Sequence, residues 1–157
     1  MQTSAKYKDK ILIVDDSAFN RKVLHNILFD DYALEEAEDV MQAMAVLSKR
    51  SHEFSLILLD LVMPRMDGFE VLKRMNKYQW IEDLPVIIVS SETNPELIRR
   101  FYALGSNDFI RRPYEEEIVN QRIKNTLKLY AKQRRMVNAV AYSFRVFLIR
   151  CLTISSS

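Results

Sequence analysis

Short apolar runs recur along the chain, and the strongest of them end on a polar or acidic residue. Lys10-Ile11-Leu12-Ile13-Val14 is continuous and rich in β-branched residues and stops at Asp15-Asp16, the pattern of a strand covered on both faces. Ser55-Leu56-Ile57-Leu58-Leu59 stops in the same way at Asp60, and Pro85 to Val89 leads into Ser90-Ser91. Tyr32 to Ala37 and Asn107 to Ile110 are weaker strand candidates. Between them the period changes to that of a helix. Ser17 offers an N-cap to a helix reaching Phe29, with Phe19, Val23, Leu24, Ile27 and Leu28 at helical spacing. Asp39 caps a second, to Arg50, with Met41, Met44, Ala45 and Leu47 on one face. Asp67-Gly68 opens a third through Tyr78, Pro95 to Leu104 is a fourth stopped by Gly105, and a long fifth begins near Glu115.

Strands alternating with helices five times are the signature of repeated βαβ units, so the pattern predicts an α/β fold with a parallel sheet covered on both faces. Functional groups in such a fold belong at the carboxyl ends of the strands, where strand order reverses. Asp15, Asp16, Asp60, Ser90 and the Arg111-Arg112-Pro113 step all fall there.

With 157 residues, 48% of them hydrophobic, the chain has apolar mass for one core and too little length for two ordinary domains. Two glycines and four prolines argue against disorder and against a turn-rich all-β fold. A single cysteine, Cys151, permits no internal disulfide, and no apolar run approaches the ~20 residues of a membrane span, so a cytoplasmic, soluble protein is expected. The net charge of +2 hides a division after Glu117. Residues 1–117 carry 15 Lys and Arg against 21 Asp and Glu, a balance of −6, whereas residues 118–157 carry 8 against none. A basic segment of this kind meets nucleic acid, an acidic membrane face or an acidic protein, or is simply the solvated face of a helix.

Three carboxylates converging on one small volume repel each other and are stable there only with a cation or with protons on some of them. A hard divalent ion is the natural partner, because Mg2+ takes oxygen ligands and commonly binds one or two carboxylates plus a phosphate oxygen. No Gly-rich phosphate loop and no dinucleotide fingerprint occurs, so the chain has no nucleotide cradle and a carboxylate is left as the phosphoryl acceptor. His25 and His52 lack partners at metal-ligand spacing and read as ordinary helix-surface or helix-end residues, and Cys151 reads as a small hydrophobe.

These motifs carry a family resemblance. Ile11 to Ser17, Leu58 to Gly68, Pro85 to Ser91 and Gly105 to Pro113 resemble, in order and spacing, the response-regulator receiver domain of bacterial two-component signalling. The resemblance covers residues 8 to about 130 and implies a doubly wound, flavodoxin-like five-stranded parallel sheet in the order 2-1-3-4-5. It implies that Asp60 is the phosphoacceptor, loaded by a histidine kinase or phosphotransfer protein. It implies Mg2+ bound by Asp16 directly, by Asp15 through water, by Asp60 and by the backbone carbonyl of Val62. Ser90 matches the hydroxyl residue that meets a phosphoryl oxygen, Phe109 the aromatic switch residue and Pro113 the proline after the family's lysine. In place of that lysine stands Arg112. A planar fork is not interchangeable with a compact ammonium. Arg112 either grips unphosphorylated Asp60 as a bidentate pair or makes the usual phosphoryl contact with altered geometry, the second being the simpler. Phe109 lacks the hydroxyl of the commoner tyrosine, so its switching would depend on burial of the ring.

Residues 1–130 are thus expected to form the receiver and residues 131–157 a helical extension. Ile123, Leu127, Tyr130, Val137, Ala141, Phe144 and Leu148 recur in alternating steps of four and three, with Arg134 filling the missing step. That seam predicts a homodimer through the C-terminal helix. The function expected is a phosphorylation-dependent switch rather than an enzyme acting on outside substrates. Two rivals stand beside it: a constitutive dimerisation scaffold, motivated by Arg112, and a transcriptional regulator whose basic tail binds DNA, which lacks a helix-turn-helix pattern. A free-standing metal-dependent phosphatase lacks a visible second catalytic acid.

Overall fold

The computed structural model describes residues 8–61 and 68–154. Five strands, β1 (Lys10–Val14), β2 (Ala33–Ala37), β3 (Leu56–Leu59), β4 (Val86–Ser90) and β5 (Asp108–Arg111), alternate with α1 (Ala18–Leu28), α2 (Val40–Arg50), α3 (Gly68–Lys77), α4 (Pro95–Ala103) and α5 (Glu116–Ile154). The strands form one sheet in the order β2-β1-β3-β4-β5, and every neighbouring pair is parallel.

Alternate residues of each central strand feed two separate cores, as the two-residue period of a strand requires. Leu12, Val14, Ile57, Leu59, Val86 and Ile88 pack under α2, α3 and α4, with Leu47, Phe69, Leu72, Met75 and Phe101 filling that side. Ile11, Ile13, Leu56, Leu58, Ile87, Val89 and Ile110 face the other way, onto Leu24 and Leu28 of α1 and Val119 and Ile123 of α5. Both faces of β1, β3 and β4 are therefore dry, which explains why these strands read as unbroken apolar runs.

The helix starts follow side-chain chemistry. Ser17 accepts a hydrogen bond from the Asn20 amide at 3.3 Å, Asp39 from the Gln42 amide at 2.7 Å, and Asn94 from the Glu96 amide at 2.9 Å with Pro95 in the first turn. At the end of α4 the Ser106 amide returns to the Phe101 carbonyl and the Gly105 amide to the Tyr102 carbonyl, a Schellman closure that needs a left-handed residue. Gly105 supplies it, with φ +97°.

Two apolar stripes differ from the sequence expectation. On α2 the buried residues are Val40, Ala43, Met44 and Leu47, while Met41 is 63% exposed and Ala45 is also exposed. Val40, immediately after the cap, sets the register, and the stripe is displaced from Met41 to its neighbour. On α1, Phe19 is 75% exposed, because the 3.6-residue period sets it on the face opposite the buried Leu24 and Leu28.

α5 is one uninterrupted helix of 39 residues, about 58 Å at 1.5 Å per residue. Its burial ends at Tyr130; beyond it Met136, Val137, Val140, Phe144, Phe147 and Leu148 are all exposed. Asn107 ties the helix to the sheet, since its Oδ1 accepts from the Val86 amide at 2.9 Å and its Nδ2 donates to the Tyr130 hydroxyl at 2.9 Å. Among the described residues no helix is long and apolar enough to cross a membrane.

Candidate functional site

The sheet register alone brings two of the acids together. Val14 pairs with Leu59, so the next residue on each strand, Asp15 and Asp60, leaves the sheet side by side. The Asp60 amide donates to the Val14 carbonyl at 2.8 Å and the Asp15 amide to the Ala37 carbonyl at 3.1 Å, which extends the ladder to the acids. Asp15 is 1% and Asp60 4% exposed, whereas Asp16 is open to solvent. One carboxylate oxygen from each of Asp15, Asp16 and Asp60 lies within 4.8 Å of the other two. Hard oxygen donors at that spacing, with one acid on the solvent side as an entry, fit a small divalent cation such as Mg2+.

β4 and β5 deliver the remaining groups. Ser90, the fully buried last residue of β4, accepts from the Glu92 amide through its hydroxyl at 3.3 Å, and its carbonyl accepts from the Arg112 amide at 2.9 Å. Arg112 thereby leaves β5 on the rim of the acidic cluster. Its Nη2 donates to Asp15 Oδ2, and its Nη1 stands 3.5 Å from Asp60 Oδ1. The guanidinium spreads over two carboxylates instead of forking onto Asp60, so its closest grip is on Asp15. Counted formally, three carboxylates and one guanidinium leave −3 + 1 = −2 at the site.

Phe109 is half-buried against the core formed with α2 to α4, on the same strand as Arg112's predecessor Arg111. Its neighbour Asp108 accepts two hydrogen bonds from Arg122 of α5, at 2.7 and 2.9 Å, so β5 and α5 are coupled beside it. That carboxylate raises the Arg122 guanidinium above its ordinary pKa. Tyr114 sits half-buried behind the site, and its phenol is pushed up chiefly by burial. Val62, whose backbone carbonyl the resemblance adds to the ligand set, lies outside the described residues.

Two supporting residues, Asn20 and Arg21, escaped the sequence reading. Arg21 donates from Nη1 to the Asp15 carbonyl at 2.8 Å and from Nε to Glu36 Oε2 at 3.1 Å, and Asn20 Nδ2 lies 3.4 Å from Asp15 Oδ1. The signal was present, because a helix capped at Ser17 turns positions three and four residues later back over its own start. Gly68 supports the site as well. A Cβ there would stand 2.7 Å from the Asp60 carbonyl oxygen, so the first turn of α3 presses directly on the backbone that carries Asp60.

The comparisons with known proteins agree with this fold. The two-component response regulator ORR3 of Oryza sativa subsp. indica is 33% identical over 112 residues, 71% of this chain and 85% of its own length. ORR1 of Oryza sativa subsp. japonica is 31% identical over 125 residues, 74% of this chain, but the chain spans only about half of it, 54%. Among solved structures, a CheY-like response regulator receiver domain protein from Methanospirillum hungatei JF-1 superposes with a TM-score of 0.74 at 26% identity, covering 81% of this chain and 99% of that one. The family profile described as "Response regulator receiver domain" matches residues 11–124, from β1 into α5 and across all three clustered aspartates, and the chain belongs to that family.

Proposed function

We propose that this receiver is switched by phosphorylation of Asp60, with Mg2+ held by Asp15, Asp16 and Asp60, and that the donor is a histidine kinase or a phosphotransfer protein. The observation that carries this is the convergence of three carboxylate oxygens within 4.8 Å at the ends of β1 and β3. When bound, the divalent ion supplies the positive charge that lets an anionic phosphoryl group approach these acids. An Asp60 carboxylate oxygen attacks phosphorus as the phosphorus–nitrogen bond to the donor imidazole breaks, and the departing nitrogen keeps the electron pair and is reprotonated. Nucleophile and leaving group exchange with little other bond making, so the protein contributes position and charge. The Ser90 hydroxyl already accepts from Glu92 and keeps its own proton to donate to a phosphoryl oxygen. Arg112 Nη1, on the Asp60 side, is placed to meet a second one.

A phosphoryl group adds up to about two negative charges and three acceptor oxygens next to Ser90 and Arg112. Both are joined to the β4–α4 loop and to β5, so two arrangements of Ser90, Phe109 and the α4–β5–α5 surface acquire different energies. Incubation of the full chain with Mg2+ and a small phosphodonor, followed by intact-mass measurement, tests this. A gain of one phosphoryl group that disappears in Asp60→Asn is expected. No gain in the wild type would instead favour the constitutive scaffold, the reading motivated by Arg112 lying across Asp15 and Asp60.

The outer part of α5 supports a second role, self-association. Val137, Ala141, Phe144 and Leu148 keep steps of four, three and four along α5, and Val137 and Phe144 are each more than 60% exposed. A second copy of the helix would cover that stripe.

A further inference from the structure

Both oxygens of Asp15 are already engaged. Oδ1 accepts from the Ser17 amide at 2.8 Å, with Asn20 Nδ2 at 3.4 Å, and Oδ2 accepts from Arg112 Nη2. The guanidinium is not a surface group that happens to reach inward. Its side chain is 18% exposed, and Nε is buried with no hydrogen-bond partner among the described residues, so the fork is held by the carboxylates ahead of it. Any divalent ion taken up by Asp15, Asp16 and Asp60, or a water bound to it, needs an Asp15 oxygen. Oδ1 is fixed by the start of α1, which leaves Oδ2, the oxygen that Arg112 holds.

We infer that Arg112 is a built-in counter-cation that competes with the divalent ion for Asp15. Without the ion, the guanidinium compensates two buried carboxylates. With the ion, like charges a few ångströms apart drive the guanidinium off Asp15 and toward Asp60, where Nη1 already points. Ion binding then does two things at once, filling the cluster and releasing Arg112 for a phosphoryl oxygen. A lysine could not divide itself between the acids in this way, because it offers one point charge where arginine offers a fork. This inference rests on the reading that the three aspartates hold a divalent ion.

The sign of the effect separates a competitor from a residue that merely shapes the pocket. Loss of a shaping residue loosens the site and weakens ion binding; loss of a competitor strengthens it. Calorimetric titration of Mg2+ into the wild-type chain and Arg112→Gln should show tighter binding in the variant, by on the order of tenfold, a usual size for coupling between charged sites. The thermal midpoint of the variant should also rise more on adding Mg2+ than that of the wild type, because only the variant lacks a counter-ion beforehand. Equal or weaker binding in the variant would overturn the competition and leave the metal site standing. Absence of Mg2+ binding in both would overturn the metal site and the competition together. Should Arg112→Gln not fold, the wild type decides alone through the Arg112 side-chain nitrogen resonances, assigned with Arg112→Lys. Release from Asp15 requires them to move and their exchange to quicken at saturating Mg2+, and unchanged resonances would sink the proposal.

Discussion

Gly68 and Glu35 show how single positions fix the geometry of the site and the stability of the frame. An alanine at 68 would gain helix propensity of at most about 1 kcal/mol, and less in a first turn. Its Cβ would meet the Asp60 carbonyl at 2.7 Å and Leu61 Cα at 3.3 Å, both backbone atoms that cannot swing aside. Overpacking of that kind costs about 1–3 kcal/mol, so the clash wins. Gly68→Ala should lower stability by about 1–2 kcal/mol in urea denaturation and slow the loading of Asp60, whose backbone must shift. Glu35 sits in the middle of the edge strand β2, paired with Leu12 of β1, with Lys10 at 2.8 Å and Arg50 at 2.5 Å. Burial pushes its carboxyl up, but the hydrogen bonds and charges of Lys10 and Arg50 outweigh that and hold it below the ordinary glutamate value of 4.5. A carboxyl depressed on folding stabilises the native state above 4.5, and the contribution is lost as pH falls through its lower folded value. Glu35→Gln should therefore cost about 1 kcal/mol near neutrality and lose less than the wild type on acidification. Urea midpoints measured down an acid series give the comparison, and parallel curves would mean that Glu35 carries no pH-linked stability.

The elements were legible in the sequence to the extent that their burial is one-sided or complete. β1, β3 and β4 are dry on both faces and could be read as apolar runs ending at Asp15, Asp60 and Ser90. The caps Ser17 and Asp39 act through local hydrogen bonds and Pro95 suits a first turn, so the starts of α1, α2 and α4 were legible too. What could not be read was long-range. Met41 and Val40 are equally apolar neighbours, and only the packing of α2 against the sheet decides that Val40 goes in. Asn107 looked like the start of a strand, but its side chain clamps the Val86 amide and the Tyr130 hydroxyl, a tie between segments 21 and 23 residues away. The same limit applied to the site. Motif spacing identifies Asp15, Asp16, Asp60 and Ser90 as candidates, while the reach of Arg112 to Asp15, 97 residues away, depends on strand order and on where β5 ends. Tyr130→Phe removes one hydroxyl from that clamp and leaves the ring. It should lower stability by about 0.5–1.5 kcal/mol in urea denaturation, the net worth of one hydrogen bond; an unchanged midpoint would show that Asn107 holds β4 without help from α5.

Across the whole molecule, charge and apolar surface are distributed unevenly, and the two together set what α5 can meet. Between residues 131 and 154 the helix carries Lys132, Arg134, Arg135, Arg145 and Arg150 and no acid, alongside exposed Met136, Val137, Val140, Phe144 and Phe147. Two such helices attract through their apolar stripes and repel through five positive charges each. Salt acts on these terms in opposite directions. Raising it from about 0.01 M to about 1 M shortens the Debye length from about 30 Å to about 3 Å, which removes the repulsion and leaves the apolar contact intact. Self-association through α5 should therefore strengthen with salt. Binding of the same helix to nucleic-acid phosphates would weaken steeply over that range, because each neutralised phosphate releases counter-ions. Sedimentation equilibrium at both salt concentrations, on the full chain and on Phe144→Asp, separates the two. A dimer that grows with salt and is lost in the variant supports pairing through the apolar stripe. A monomer at every salt concentration, together with DNA binding that fades as salt rises, would move the role of α5 from pairing with a second copy to holding nucleic acid.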